Sequence, residues 1–470
     1  MDGHVNFLAP AALLGWFPAT IALFVYLPAR RAVIVSFLAG WMFLPVIDYK
    51  IAFLPSFDKT AVICLAVLTG VLLFDAARLL RLRPHWIDLT ILIVCLGPFA
   101  SSVSNGLGAR DGVSESVHET LLWGLPWLIG RLYFTDLEAL RELAVGIFIG
   151  GLVYAPLCLL EIRISPQLHY QLYGFHQHSF FQHIRYGGYR PMVFMHHGLM
   201  VGLFMAAAAL SGAWLHRSGS LRTLLGIPLP LLFLPLFAVT ILIKSVGAIV
   251  LLFVGMAILY CVQYLRSSLP VLALAAAAVA YILVRMTGVI PSSDLVAAAK
   301  ATLGADRAQS LESRLVNEDM LTGRALERPV AGWGGWGRAR IHDESGQDVT
   351  ITDSLWIIFL GNKGLLGLAG LMLALLLPVA LLPRRIPVRF WAHPDAGACA
   401  VLSVILLLWA VDNLLNGMIN PVYLLIAGGL GGLAKVEEAC GDENDEIAEE
   451  GGADEAAEGG SGVERLRPRT

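Results

Sequence analysis

The chain has 470 residues, 57% of them hydrophobic and only 15% charged, with a formal net charge of −3 and a mean hydropathy of +0.70. That balance excludes a soluble globular protein and points to a polytopic membrane protein. Residues 435–470 hold twelve acids against four bases, so a tail of −8 is attached to a remainder of +5. Such an acidic, Gly/Ala/Glu-rich tail without apolar periodicity is expected to be disordered and cytoplasmic. Nothing points to nucleic acid as a partner.

A hydrocarbon core of ~30 Å takes ~20 apolar residues per helix. By that measure helices are predicted near 7–27, 32–48, 60–78, 87–102, 119–133, 139–161, 191–212, 223–243, 246–265, 269–285, 354–382, 397–414 and 417–434. The predicted fold class is an all-α polytopic membrane protein of about 12–13 transmembrane helices, with one membrane domain over 1–434. The runs are continuously apolar and do not alternate, which excludes a β-barrel. The start, MDGHVNFLAP, lacks a basic region, so no cleavable signal peptide is expected. Arg30 and Arg31 follow the first helix and set its N-terminus outside. The basic stretches at 78–84, 216–222, Arg266 and 383–389 then share the cytoplasmic side. Two long loops, 162–190 and 286–353, fall outside. The six cysteines make no CxxC pattern and suit core packing.

Loop 162–190 carries Arg163, Arg185 and Arg190, four histidines, seven Tyr or Phe residues and no acid. That composition suits an anionic ligand with apolar or saccharide faces, and also an amphipathic interfacial helix. Arg190 stands where an apolar run begins, with Pro191 placed as a helix-start residue. A cation there is costly without an anionic partner. His196 and His197 follow inside the predicted helix, as a base, a phosphate donor or a hydrogen-bonded structural pair. His176 and His178 have no neighbouring Cys or carboxylate to complete a metal shell.

Loop 286–353 interrupts the buried chain with Arg314, Arg324, Arg328, Arg338 and Arg340, and with the run RPVAGWGGWG holding Trp333 and Trp336. A protein that only moves a solute rarely needs so large an arginine-rich insert. Guanidinium groups grip phosphate in bidentate fashion, while Trp faces and Gly backbone suit sugar rings. The loop opens with helix-forming sequence, and a short helix is predicted to stop before Pro329. The Gly/Trp run is predicted to be an irregular return strand lining a cavity.

These residues resemble the O-antigen ligase/polymerase superfamily. ALERPVAGWGGWG followed by GNKGLLGL is similar to that family's second external-loop signature, with LIGRLYF at 128–134 and Arg190-Pro191 adding to the likeness over 119–434. The resemblance implies a GT-C-like, inverting, metal-independent glycosyltransferase without cofactor. It implies a bacterial inner-membrane location and an undecaprenyl-pyrophosphate-linked oligosaccharide as donor, with a flippase and a chain-length regulator as neighbours. The family's His-Asn pair falls on Asp353-Ser354, its Glu on Asn362, and its Ser-Arg pair on Lys244-Ser245 in reversed order. Those departures favour an exopolysaccharide, capsule or O-antigen polymerase over a lipid A-core ligase. Arg190, Arg314 and Lys244 are then expected at the pyrophosphate, with Arg185, Arg324, Arg328, His196, His197, Trp333 and Trp336 around the substrate. Asp353 is expected either to take the acceptor proton or to cap the following helix. Asp412 and Asn413 form a further polar pair without an assigned role. A transporter or flippase of lipid-linked sugars is the reading from another class.

Overall fold

The computed structural model describes residues 4–49, 56–303, 305–335, 337–438 and 466–468. Its helices are α1 (Leu8–Tyr26), α2 (Ala29–Phe43), α3 (Lys59–Phe74), α4 (Ala76–Leu80), α5 (Asp88–Ser104), α6 (Ala109–Glu119), α7 (Leu125–Tyr133), α8 (Leu137–Ile164) and α9 (Leu168–Tyr173). They continue with α10 (Gly198–Arg217), α11 (Pro230–Leu242), α12 (Val246–Leu265), α13 (Leu269–Thr287), α14 (Ser292–Leu303), α15 (Ala305–Leu326), α16 (Leu355–Arg385), α17 (Gly397–Asp412) and α18 (Pro421–Gly432). Three two-stranded antiparallel pairs are the only sheets among the described residues.

Each predicted apolar segment contains a helix. Six described helices, α1, α8, α10, α12, α13 and α16, are long and apolar enough to cross a membrane. The chain is therefore an all-α polytopic membrane protein. Five further apolar helices, α3, α5, α11, α17 and α18, are shorter than 18 residues, and local chemistry ends some of them early. Asp75 ends α3 and binds Arg78 at 2.9 Å and the Tyr133 hydroxyl at 2.9 Å. Lys244, at φ 59°, separates α11 from α12. Two predicted starts also move inward. The 191–212 segment becomes helical only at Gly198, so Pro191 does not begin a helix, and 223–243 only at Pro230, after a hairpin of Thr223–Leu224 with Ile227–Pro228.

The helices that do form carry the expected start signals. Asp58 accepts the Ala61 amide at 2.8 Å, Asp136 the Ala139 amide at 2.8 Å and Asn420 the Val422 amide at 2.9 Å. α10 and α17 occupy the centre, with α17 buried from Gly397 to Ala410. Small residues let backbones approach. A Cβ on Gly428 would collide with the Trp127 carbonyl, which is how α18 lies directly on α7.

One end of the bundle is an ionic girdle. Arg30 meets Asp136 at 2.9 Å, Arg31 meets Glu142 at 3.2 Å, and Arg131 meets Asp88 at 2.9 Å. Arg141 donates to the Ser220 carbonyl and Ser220 to the Pro394 carbonyl. Of the basic stretches predicted to share a side, Arg30–Arg31, 78–84 and 216–222 are tied into that end, the second through the Arg83 carbonyl, which accepts from Arg131. Of the tail expected to be disordered, Val436–Glu438 and Leu466–Pro468 pair as short strands, and nearly all the rest lies outside the described residues.

Candidate functional site

At the other end, residues 190–197 form an irregular segment between the 162–190 loop and α10. Irregular backbone inside a membrane bundle survives only when its polar groups find partners. Here they come from far along the chain. Glu161, 1% exposed, accepts the amides of Met192 and Val193 at 2.8 and 2.7 Å and that of Leu168 at 2.9 Å. The Tyr154 hydroxyl accepts the Phe194 amide at 3.0 Å. Lys59 donates to the Phe194 carbonyl at 3.2 Å, and Gln177 to those of Val193 and Met195. This bracing makes the segment a rigid cradle with Arg190 at its head and His197 at its foot.

The cradle forms one wall of an open cavity of about 1250 Å³. Arg185, Arg190 and Arg314 line it with His178, His197, Asp353 and Asp412. Val246, Val250, Leu251, Val411, Leu415 and Met418 supply an apolar side. Arg190 is 8% exposed, pairs with no acid among the described residues, and has no partner for its Nε. Its Nη2 reaches only the Lys244 carbonyl, at 3.4 Å. Burial and the neighbouring Arg185 hold it down to about 10, so it remains a cation at neutral pH. Gly198 makes room for it, since a Cβ there would lie 2.5 Å from the Arg190 Cδ.

His197 corrects the prediction that placed it within the helix. It occupies the N-cap of α10, and its Nδ1 accepts the Leu199 amide at 3.1 Å. Burial, and then the neighbouring His183 and His178, press it down to about 2. The ring is therefore neutral with its proton on Nε2, a donor and not a base. His183 is likewise neutral, pushed by burial to about 4. Its Nδ1 faces the Ser179 carbonyl at 3.0 Å, and its Nε2 accepts from Gly198. The rings of His178, His183 and His197 lie 4.7–5.8 Å apart. Among the described residues no set of three or more such side chains is placed to hold a metal ion.

Arg314 and Asp353 meet across the cavity mouth, Nε to Oδ2 at 3.9 Å. One residue positions both. Glu318, 3% exposed and one turn beyond Arg314 on α15, accepts from Arg285 Nε at 3.0 Å, Tyr281 at 2.9 Å and Ser354 at 2.8 Å. It joins α15 to α13 and to the first residue before α16. The N-cap of α16 is Ser354, and the Asp353 carboxylate makes no cap bond.

The remaining predicted residues lie elsewhere. Lys244 is beside the cavity, with its ammonium on the carbonyls of Arg185 and Tyr186 at 3.4 and 3.2 Å, holding the 184–189 hairpin. His196 is exposed and does not line the cavity. Arg324 and Arg328 stack over the Trp333 indole at 3.5 and 4.6 Å, so guanidinium groups stand over that ring where a sugar was expected. Trp336 lies outside the described residues. The Gly/Trp run is irregular as predicted, but it does not line the large cavity. It docks against a break in α16 at Gly364 (φ 64°, ψ −164°). Trp333 and Gly334 donate to the carbonyls of Gly361 and Asn362, and Leu365 and Leu366 donate back to Pro329 and Val330.

Sequence reasoning missed Glu161, Tyr154, Lys59 and Glu318. An acid inside an apolar run, as in CLLEIRI, was the available signal for Glu161. The fold and this cavity define a polytopic α-helical membrane protein with a cationic chamber at one end of the bundle. No protein-family model matches the chain, and no curated protein matches it.

Proposed function

We propose that this protein joins or transfers glycan repeat units carried on undecaprenyl pyrophosphate, at the outer face of a bacterial inner membrane, as an inverting glycosyltransferase that needs no metal. The products would be exopolysaccharide, capsule or O-antigen. One observation carries the reading: a buried, acid-free Arg190 with an unpartnered Nε looks into a large cavity that has cations on one side and hydrocarbon on the other. An amphipathic anion fits such a chamber, its pyrophosphate against guanidinium groups and its isoprenoid chain along α12.

In the transfer, the acceptor hydroxyl oxygen attacks the anomeric carbon and the bond from that carbon to the phosphate oxygen breaks. The lipid pyrophosphate leaves with the electron pair, and its growing charge is met by Arg190, Arg314 and the His197 Nε2–H. The hydroxyl proton passes to the Asp353 carboxylate late in the step. Arg185 adds to the positive field at the mouth, and Glu318 keeps Arg314 and Asp353 in register.

Purified protein incubated with lipid-linked repeat units tests this directly. A ladder of longer glycans, or glycan moved to an added acceptor, supports it; unchanged donor under conditions where the folded protein binds that donor overturns it. A transporter of lipid-linked sugars is favoured by the two interrupted backbones, 190–197 and Gly364, since discontinuous helices line transport sites. In liposomes that reading gives movement of the lipid across the bilayer without new glycosidic bonds.

A further inference from the structure

The large cavity holds one acid that the transfer chemistry does not use. Asp412 ends α17 and stands half-buried in the part of the wall made apolar by Val411 and Leu415. Its Oδ1 accepts from Asn416 Nδ2 at 2.9 Å, and Asn416, one turn on, lines the cavity as well. Among the described residues no cation pairs with this carboxylate and no second side chain donates to it. Water can supply the missing donors while the chamber is open. An amphipathic ligand that fills the chamber displaces that water, and a half-buried carboxylate left short of donors is costly. The ligand must then bring donors of its own to this point.

The turn after α17 sets which part of the ligand that is. The Leu355 amide donates to the Asn413 carbonyl at 3.0 Å, and a Cβ on Gly417 would lie 3.2 Å from the Asp353 carbonyl oxygen. Asp412 and Asn416 thus belong to the wall that carries Asp353, a different element from the 184–190 segment that carries Arg185 and Arg190. A prenyl chain has no donors, and phosphate oxygens only accept and carry the same charge as Asp412. Sugar hydroxyls donate, and the second Asp412 oxygen with the Asn416 side-chain carbonyl can take two of them. A uronic acid would set a third carboxylate beside Asp353 and Asp412, and an amino sugar would set an ammonium among Arg185, Arg190 and Arg314. We infer that Asp412 and Asn416 form the subsite for the sugar next to the pyrophosphate, where they bind two hydroxyls of an uncharged hexose and so select the donor. The inference rests on the proposed reading of the chamber as a site for a lipid-pyrophosphate glycan.

The test is native mass spectrometry of the full-length protein in detergent, titrated with undecaprenyl pyrophosphate alone, the same lipid bearing glucose, or the same lipid bearing glucuronic acid. Two hydroxyl bonds should make the glucosyl lipid bind about tenfold more tightly than the bare lipid. The glucuronyl lipid should bind no better than the bare one. Asp412→Ala or Asn416→Ala should erase the glucose advantage without weakening the bare lipid. Asp412→Asn keeps the shape should the alanine variant fail to fold, and it should narrow the gap between glucosyl and glucuronyl lipids. Equal affinity of the wild type for glucosyl and bare lipids overturns the inference, as does a glucose advantage that persists in Asp412→Ala. An equal loss for both lipids in that variant, or an unchanged gap in Asp412→Asn, overturns it too. If the glucose advantage depends on Asp412 but no glycosidic bond forms with an added acceptor, the subsite stands and the transfer reading falls. If none of the lipids binds, both fall.

Discussion

The two ends of the bundle hold arginine in opposite ways. At the girdle, Arg30, Arg31, Arg78 and Arg131 each have an acid within 3.2 Å. At the cavity, Arg185 and Arg190 have none among the described residues, and the acid nearest Arg314 is 3.9 Å away. Satisfied charges fix structure, whereas a buried cation left without an anion is costly and marks a place where the anion arrives from outside. Counting arginines would not separate the two ends; asking what each one touches does.

The sharpest way to break that contrast is to remove one arginine from each end. Arg190→Ala should lower glycan formation about 10²–10³-fold, while the protein inserts and accumulates normally. Arg190→Lys should recover only part, because a point charge lacks the fork. Full-length polymer from the alanine variant would take Arg190 out of the site. Arg131→Ala should behave conversely, since it strands Asp88 and leaves the Trp127 indole as that carboxylate's remaining side-chain donor. Thermal unfolding should show a loss of about 3 kcal/mol, with turnover per folded molecule unchanged.

Next in size is Asp353→Asn, expected to cut kcat about 100-fold with donor affinity retained, as shape is kept and proton acceptance lost. Asp353→His should keep measurable activity. Because Ser354 occupies the cap position, a near-normal rate in the Asn variant would leave Asp353 with neither role.

His183, packed on His197 of the cavity wall with ring centroids 4.8 Å apart, gives that end of the bundle a pH signature. The unfolded chain takes a proton on His183 below about pH 6.5, while the folded protein refuses it until about 4. Stability is thus fully present above pH 6.5 and falls as pH drops toward 4, by on the order of 3 kcal/mol. Thermal unfolding between pH 7 and 5 measures it. His183→Gln should reduce that slope and leave the share carried by His197, which burial presses lower still; an unchanged slope would take His183 out of the titration. The smallest effect expected is that of Ser354→Ala, which removes one hydrogen bond to Glu318 worth about 1 kcal/mol. It should lower kcat severalfold and leave KM alone; a change confined to KM would mean that Glu318 does not position Asp353.

Much of the fold was legible because long apolar runs dominate the chain, and each became a helix. Arg190, Arg314, Asp353, Arg185 and His197 were all singled out from sequence, and they line one cavity. What escaped was how the chain holds them. The run after Arg190 is apolar enough to read as helix, and only Glu161, some thirty residues earlier, withdraws the amides of Met192 and Val193 from that helix. Trp333 looked like a sugar platform because composition does not reveal that Arg324 and Arg328 already stand over it. Both failures concern partners distant in sequence, where periodicity carries no information.

The break in α16 bears on how the protein is made. A 31-residue apolar segment emerging into a membrane would by default close every internal hydrogen bond and form one straight rod. The amides of Leu365 and Leu366 instead belong to Pro329 and Val330, residues synthesised earlier. The loop therefore competes with the straight rod for those two amides. Gly332 and Gly364 fit so closely that a Cβ on either would strike the other's backbone. A chain with that loop exchanged for another would insert, yet its α16 would close straight and aim Asp353 somewhere else.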